Sequence, residues 1–97
     1  AVDEMDEDKK IHDNYRVDYL KKHIIEMKKA VEDGIDLKGY MMWAPIDIIS
    51  SSTGEMKKRY GLIYIDKDDN GNGDYSRYPK DSFYWYKKVI ETNGEIL

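Results

Sequence analysis

The seven residues LKGYMMW at positions 37–43 constrain this chain more than any other stretch. Apart from Lys38 and Gly39 they are apolar on both alternating faces, which suits a strand buried on both sides, as in a parallel sheet covered by helices. Pro45 ends the run, because it cannot donate to a ladder and it drives Ala44 out of the helical region. A strand of this kind needs parallel neighbours, and the rest of the chain offers none. The expectation is a piece cut from a larger sheet. Its open edges and apolar helix stripe predict association, either with the missing part or with copies of itself.

The segments around that run read as helix, hairpin and helix. Residues 1–12 are mostly charged and aperiodic, so they are expected to form a mobile loop. From Asp13 to about Asp33, the residues Val17, Leu20, Ile24, Met27 and Val31 recur at three- and four-residue steps, one stripe of an amphipathic helix. Asp13 is the candidate N-cap and Gly34 the candidate stop. Lysines 21, 22, 28 and 29 fall largely on the opposite face among Asp18, Glu26 and Glu32, as on a solvated face with weak ion pairs. Residues 60–65 alternate and are β-branched or aromatic, and residues 75–78 return beside them as a hairpin. The intervening DKDDNG at 66–71 resembles the opening of a calcium-binding EF-hand loop, but Arg77 stands where the twelfth-position glutamate is required and a strand precedes it. Asn70-Gly71 and Asn72-Gly73 are instead read as turn residues that accept positive φ. Pro79 with Asp81 or Ser82 starts a second helix, whose inward stripe is Phe83, Tyr86, Val89 and Ile90 and whose stop is Asn93-Gly94.

Composition narrows the function. A net charge of −4 disfavours a general nucleic-acid binder, which needs a basic face to displace counterions. No apolar run approaches the roughly 20 residues of a membrane span. His12 and His23 have no companion histidine or cysteine at ligand spacing, so neither a metal nor another cofactor is expected. The chain has no cysteine, which fits a reducing, cytoplasmic setting. With 37% charged residues and a limited core, it should be marginal standing alone.

The chemistry concentrates after the proline. Ser50, Ser51, Ser52 and Thr53 supply four hydroxyls, Gly54 permits a bend, and Lys57, Lys58, Arg59 and Tyr60 supply cations and a phenol. A phosphate near neutral pH is close to dianionic, with a second pKa near ~6, and accepts hydrogen bonds from such donors. The competing reading is a solvated loop of local serine turns, and spacing alone does not separate the two.

Two stretches carry a resemblance: WAPID at 43–47, followed by SSSTGEMKKRYG at 50–61, is similar to the last barrel strand and phosphate loop of 6-phospho-β-glucosidases, which are family-1 glycoside hydrolases. It extends through HDNYRVDYLKKHI (12–24), MKKAVEDGIDLKGY (27–40), YGLIYID (60–66) and KDSFYWYKKVIETNGE (80–95). The resemblance implies an α/β fold, the carboxyl-terminal part of a (β/α)8 barrel, with residues 1–97 forming one segment of a single domain. Such barrels typically need roughly 250 residues and build their sites from loops at the carboxyl ends of the strands.

These enzymes hydrolyse β-glycosides with retention, using two glutamates about 5 Å apart. The nucleophile of the family sits in a Thr-Glu-Asn-Gly type motif; none precedes Asp13, so the chain is expected to begin just past it. Glu91-Thr-Asn-Gly94 is superficially similar but lies at a helix end, the wrong context for a catalytic role. By resemblance, Trp43 lies against the sugar, and Ser52, Lys58 and Tyr60 bind the 6-phosphate, with Ser50 as the alternative serine. Ser51 takes the position where phospho-β-galactosidases tend to place a tryptophan, so a small side chain there favours the gluco substrate. Ala44-Pro45 departs from the glycine- or serine-led pair usual in the family, which bears most on Ser50. Asp47 matches a family aspartate and is expected to anchor the loop. The implied partner is a phosphorylated β-glucoside, and the segment alone is expected to be inactive. The alternative from another class is a stand-alone α+β anion-binding or interaction module.

Overall fold

The computed structural model describes residues 2–50 and 52–97. Ser51, and with it the expectation about gluco selectivity, lies outside the described residues. In chain order the elements are α1 (Asn14–Glu32), β1 (Ile63–Ile65), β2 (Arg77–Pro79) and α2 (Asp81–Glu91).

Helix α1 forms where the apolar spacing predicts it and buries Leu20 and Ile24, one turn apart. It packs against α2, which buries Val89. Its end is closed by Gly34 at φ +98, a conformation that favours glycine, with the Gly34 N–H donating to the Val31 carbonyl and Ile35 to Ala30. The expected stripes are only partly inward, since Val31 is 50% and Ile90 66% exposed.

Asp13 precedes α1 as expected, but its carboxylate does not cap that helix. It crosses to α2, where Oδ1 accepts the Ser82 N–H at 2.9 Å and Oδ2 accepts the Ser82 hydroxyl at 2.5 Å. Neither Asp81 nor Ser82 is the N-cap of α2; Lys80 is, and it offers no side-chain acceptor. Asp13 supplies the acceptor that the helix start needs.

Strands β1 and β2 form the expected antiparallel hairpin, with Tyr64 opposite Tyr78, although each strand is only three residues long. Between them the Asp68 carboxylate accepts the N–H groups of Asn70 and Asn72, so its oxygens serve the turn.

The expected strand at 37–43 does not form: the run joins no ladder, and Met41 is 97% and Trp43 66% exposed. A strand of that type is stable only when both edges are paired and both faces covered, and the described residues provide neither. Among the described residues, the one parallel pairing comes after the proline. There Leu62 N–H donates to the Pro45 carbonyl and Asp47 N–H to Ile63, around the Ile46–Ile63 bridge. Between run and bridge, Ala44 sits at φ +59, a left-handed turn that costs a non-glycine residue about 1–2 kcal/mol.

Residues 2–12 anchor at Asp3 and Ile11, both buried, with residues 6–10 exposed. The molecule is a slab of 49 × 31 × 17 Å with a radius of gyration of 15.2 Å. A compact chain of this length would have a radius of about 12.5 Å. Among the described residues no helix is long and apolar enough to cross a membrane.

Candidate functional site

The loop that leaves residue 47 and returns at residue 61 is closed at its base by one carboxylate. Asp47 Oδ1 accepts the Gly61 N–H at 3.0 Å and the Lys80 ammonium at 2.8 Å, while Oδ2 accepts Arg59 Nη1 at 3.2 Å. Asp47 is thus the expected anchor. Gly61 has to be glycine, since a Cβ there would collide with the Ile46 backbone. Within the loop Gly54, at φ +69, donates its N–H to the Ser50 carbonyl, and Ser50 donates to Glu55. The Met56 N–H donates to the Asp69 carboxylate and ties the loop to the hairpin connection.

Three of the four residues expected to bind phosphate come together. Tyr60 donates its phenol to Ser50 Oγ at 3.2 Å, and Ser50 Oγ lies 3.3 Å from Ser52 Oγ. Tyr60 is half-buried, Ser50 in the middle of the chain is buried, and Ser52 is exposed. Lys58 does not join it. Its ammonium lies 3.7 Å from Glu55 Oε1, and Lys57 lies 3.0 Å from Oε2 of the same carboxylate. The hydrogen bond from Lys57, with the field of both lysines, holds the Glu55 carboxyl below its ordinary range, and Glu55 raises Lys57 in return. Trp43 lines an open groove of about 560 Å³ with Tyr15, Tyr19, Tyr40 and Tyr60. The aromatic wall and the first hydroxyl of the chain therefore share one groove.

Arg59, one of the cations that the sequence places in the loop, points inward and is 5% exposed. Besides Asp47 it donates to the carbonyls of Ile65 and Lys67, both at 2.9 Å, and its guanidinium lies 4.0 Å over the Tyr64 ring. In an extended segment successive side chains alternate, so Arg59 faces the interior while Lys58 and Tyr60 face outward.

Sequence reasoning also missed a buried ionic network beneath the loop. Lys80, fully buried, donates to Asp3 Oδ2 at 2.5 Å, to Asp47 Oδ1 and to the Gly61 carbonyl at 2.8 Å. Arg16 pairs with Asp13 at 2.5 Å and Asp3 at 3.1 Å, and donates to the Tyr15 phenol and the Arg59 carbonyl. Burial works against Asp3 ionising, yet the hydrogen bonds from Lys80 and Tyr15 and the charges of Lys80 and Arg16 hold its carboxyl below the usual range. Burial, together with the bond to Asp3, pushes the Tyr15 phenol well up. One signal was available: a lysine at a helix N-terminus opposes the helix dipole, so it calls for carboxylate partners.

An α/β slab whose loop of hydroxyls and cations leaves a single parallel bridge, with only a two-stranded sheet among the described residues, fits a sector of a larger barrel. The chain belongs to glycosyl hydrolase family 1, whose profile matches residues 1–95, and its fold is a segment of a (β/α)8 barrel. It is 62% identical over 98 residues to aryl-phospho-beta-D-glucosidase BglA of Bacillus subtilis (strain 168), covering all of this chain and 20% of that protein. To 6-phospho-beta-glucosidase AscB of Escherichia coli (strain K12) it is 54% identical over 97 residues, covering all of this chain and again 20% of the other. Among solved structures, a family 1 β-glucosidase from Thermotoga maritima superposes with a TM-score of 0.81 at 40% identity, over 95% of this chain and 19% of that one. The chain thus spans about a fifth of the length of the curated relatives it matches.

Proposed function

We propose that these 97 residues are the carboxyl-terminal segment of the single barrel domain of a cytoplasmic, retaining 6-phospho-β-glucosidase, and that they select its substrate by gripping the 6-phosphate. The supporting observation is the hydroxyl chain from Tyr60 through Ser50 to Ser52, whose Tyr60 end lines the same groove as Trp43. Two curated relatives named for phosphorylated glucosides match the whole segment. In this reading the hydroxyls give direction and Lys58, leaving Glu55, gives charge to a phosphate near dianionic. Trp43 offers its exposed face to the apolar face of the pyranose. A serine at position 51, small where phospho-β-galactosidases tend to place a tryptophan, favours the gluco substrate in this reading. Both catalytic glutamates, about 5 Å apart in a retaining enzyme, lie on polypeptide outside these residues.

The test is the ratio of kcat/KM for an aryl 6-phospho-β-glucoside to that for the unphosphorylated glucoside, measured in the whole enzyme. A hydrogen bond to a charged group is worth about 1.5–3 kcal/mol, so Lys58→Ala is expected to lower that ratio roughly 10- to 100-fold. An unchanged ratio would overturn the phosphate assignment. Hydrolysis of the phosphorylated substrate by the pure 97-residue chain would overturn the placement of the glutamates. Tight, Lys58-dependent phosphate binding by a monomeric, cooperatively folded 97-residue chain would point to a stand-alone anion-binding module instead.

A further inference from the structure

Tyr60 is the one aromatic hydroxyl in the hydroxyl chain, and both peptide groups that bound it are held by buried charged side chains. On its amino side, the carbonyl of Arg59 accepts Arg16 Nη2 at 2.9 Å. On its carboxyl side, the N–H of Gly61 donates to Asp47 Oδ1 at 3.0 Å, and the Gly61 carbonyl accepts the Lys80 ammonium at 2.8 Å. The same Asp47 oxygen receives Lys80, while its other oxygen receives Arg59, whose side chain points opposite to Tyr60. Asp47 also precedes Ser50 by three residues, so one carboxylate ties together both limbs that carry the Tyr60–Ser50 contact. Asp3 joins the two halves, accepting from Lys80 at 2.5 Å and lying 3.1 Å from Arg16.

We propose that Asp47, Lys80 and Arg16 are positioning residues for phosphate recognition: their buried charges clamp the backbone around Tyr60 and so set the distance between its phenol and Ser50. This rests on the phosphate reading above. A buried ion network is weak evidence for stability as such, since well-packed apolar residues would often serve as well or better. What distinguishes this one is that its donors and acceptors converge on three successive peptide groups, 59–60, 60–61 and 61–62. A displacement of about 1 Å in a positioned group can cost as much as 100-fold, so looseness at this clamp should appear first in phosphate selectivity.

The experiment measures the phosphorylated-to-unphosphorylated ratio of kcat/KM in the whole enzyme for Asp47→Asn and Arg16→Lys. Asparagine keeps an acceptor for Gly61 but loses the charge facing Lys80 and Arg59. Lysine keeps the charge but cannot reach the Arg59 carbonyl while still pairing with both Asp13 and Asp3. Each variant is expected to lower the ratio about tenfold, chiefly through KM of the phosphorylated substrate, with the unphosphorylated substrate within twofold. If Asp47→Asn does not fold, Arg16→Lys decides alone. A ratio within twofold of the unaltered enzyme, or equal losses on both substrates, overturns the positioning role. Lys58→Ala in parallel separates the two failures. If it lowers the ratio while the clamp variants do not, only the clamp is wrong; if it too leaves the ratio unchanged, the phosphate reading falls and the clamp with it.

Discussion

Lys80 has no exposed surface, sits at the start of a helix, and still bears three hydrogen bonds, two of them to carboxylates. Such a residue survives burial only with its partners, and Asp3 is the one most open to test. Its carboxyl ionises more easily in the folded chain than its ordinary value of 3.8, so folding is favoured by releasing its proton. The stability it contributes is fully present above that ordinary value and is lost as the pH falls through the depressed folded value. Asp3→Asn should therefore cost about 3 kcal/mol at pH 7, as breaking a buried pair does, and should make the fall in stability below pH 4 shallower. Urea unfolding at pH 7 and pH 3 would check both. An unchanged acid limb in the variant would show that Asp3 is not the group responsible.

At the scale of elements, the two helices are coupled through their starts. Asp13 stands at the head of α1 yet holds the first turn of α2, and it also receives Arg16 at 2.5 Å. Removing an ordinary N-cap costs about 1 kcal/mol. Asp13→Ala should cost nearer 3 kcal/mol, because it also leaves the buried Arg16 short of a partner. Amide hydrogen exchange should show the Ser82 N–H losing protection while the middle of α1 keeps it; loss confined to α1 would contradict the cross-helix cap. These elements differed in how far the chain revealed them. The 3.6-residue recurrence through Leu20 and Ile24, and the Asn-Gly pairs between the strands, report local preferences, and the helices and hairpin formed where they pointed. The run at 37–43 failed as a strand because strand formation is a property of pairs, and its partners were not at hand.

For the whole molecule, the governing fact is a flat shape with apolar surface left uncovered. Met42, Pro45, Leu62, Phe83, Tyr86 and Ile90 line one open groove of about 570 Å³, and Leu37, Met41 and Trp43 add exposed area nearby. Apolar patches of this kind seek cover. The 97-residue chain by itself is expected to sediment as concentration-dependent oligomers, and to become a uniform complex when produced together with the rest of a family 1 barrel. A monodisperse, cooperatively melting monomer across a hundredfold range of concentration would contradict that expectation.

The residues alone were enough to establish the helices, the hairpin, the family and the cluster of hydroxyls after Pro45, because each is written in local spacing or in a contiguous motif. Only the tertiary structure decided that Arg59 turns inward while Tyr60 turns toward Ser50, that Lys58 rests on Glu55, and that Asp3, Asp47 and Lys80 meet beneath the loop. Those contacts join residues up to 77 positions apart. Charge pairing at such separations depends on which groups the fold shields from water, and no local pattern of residue types records that.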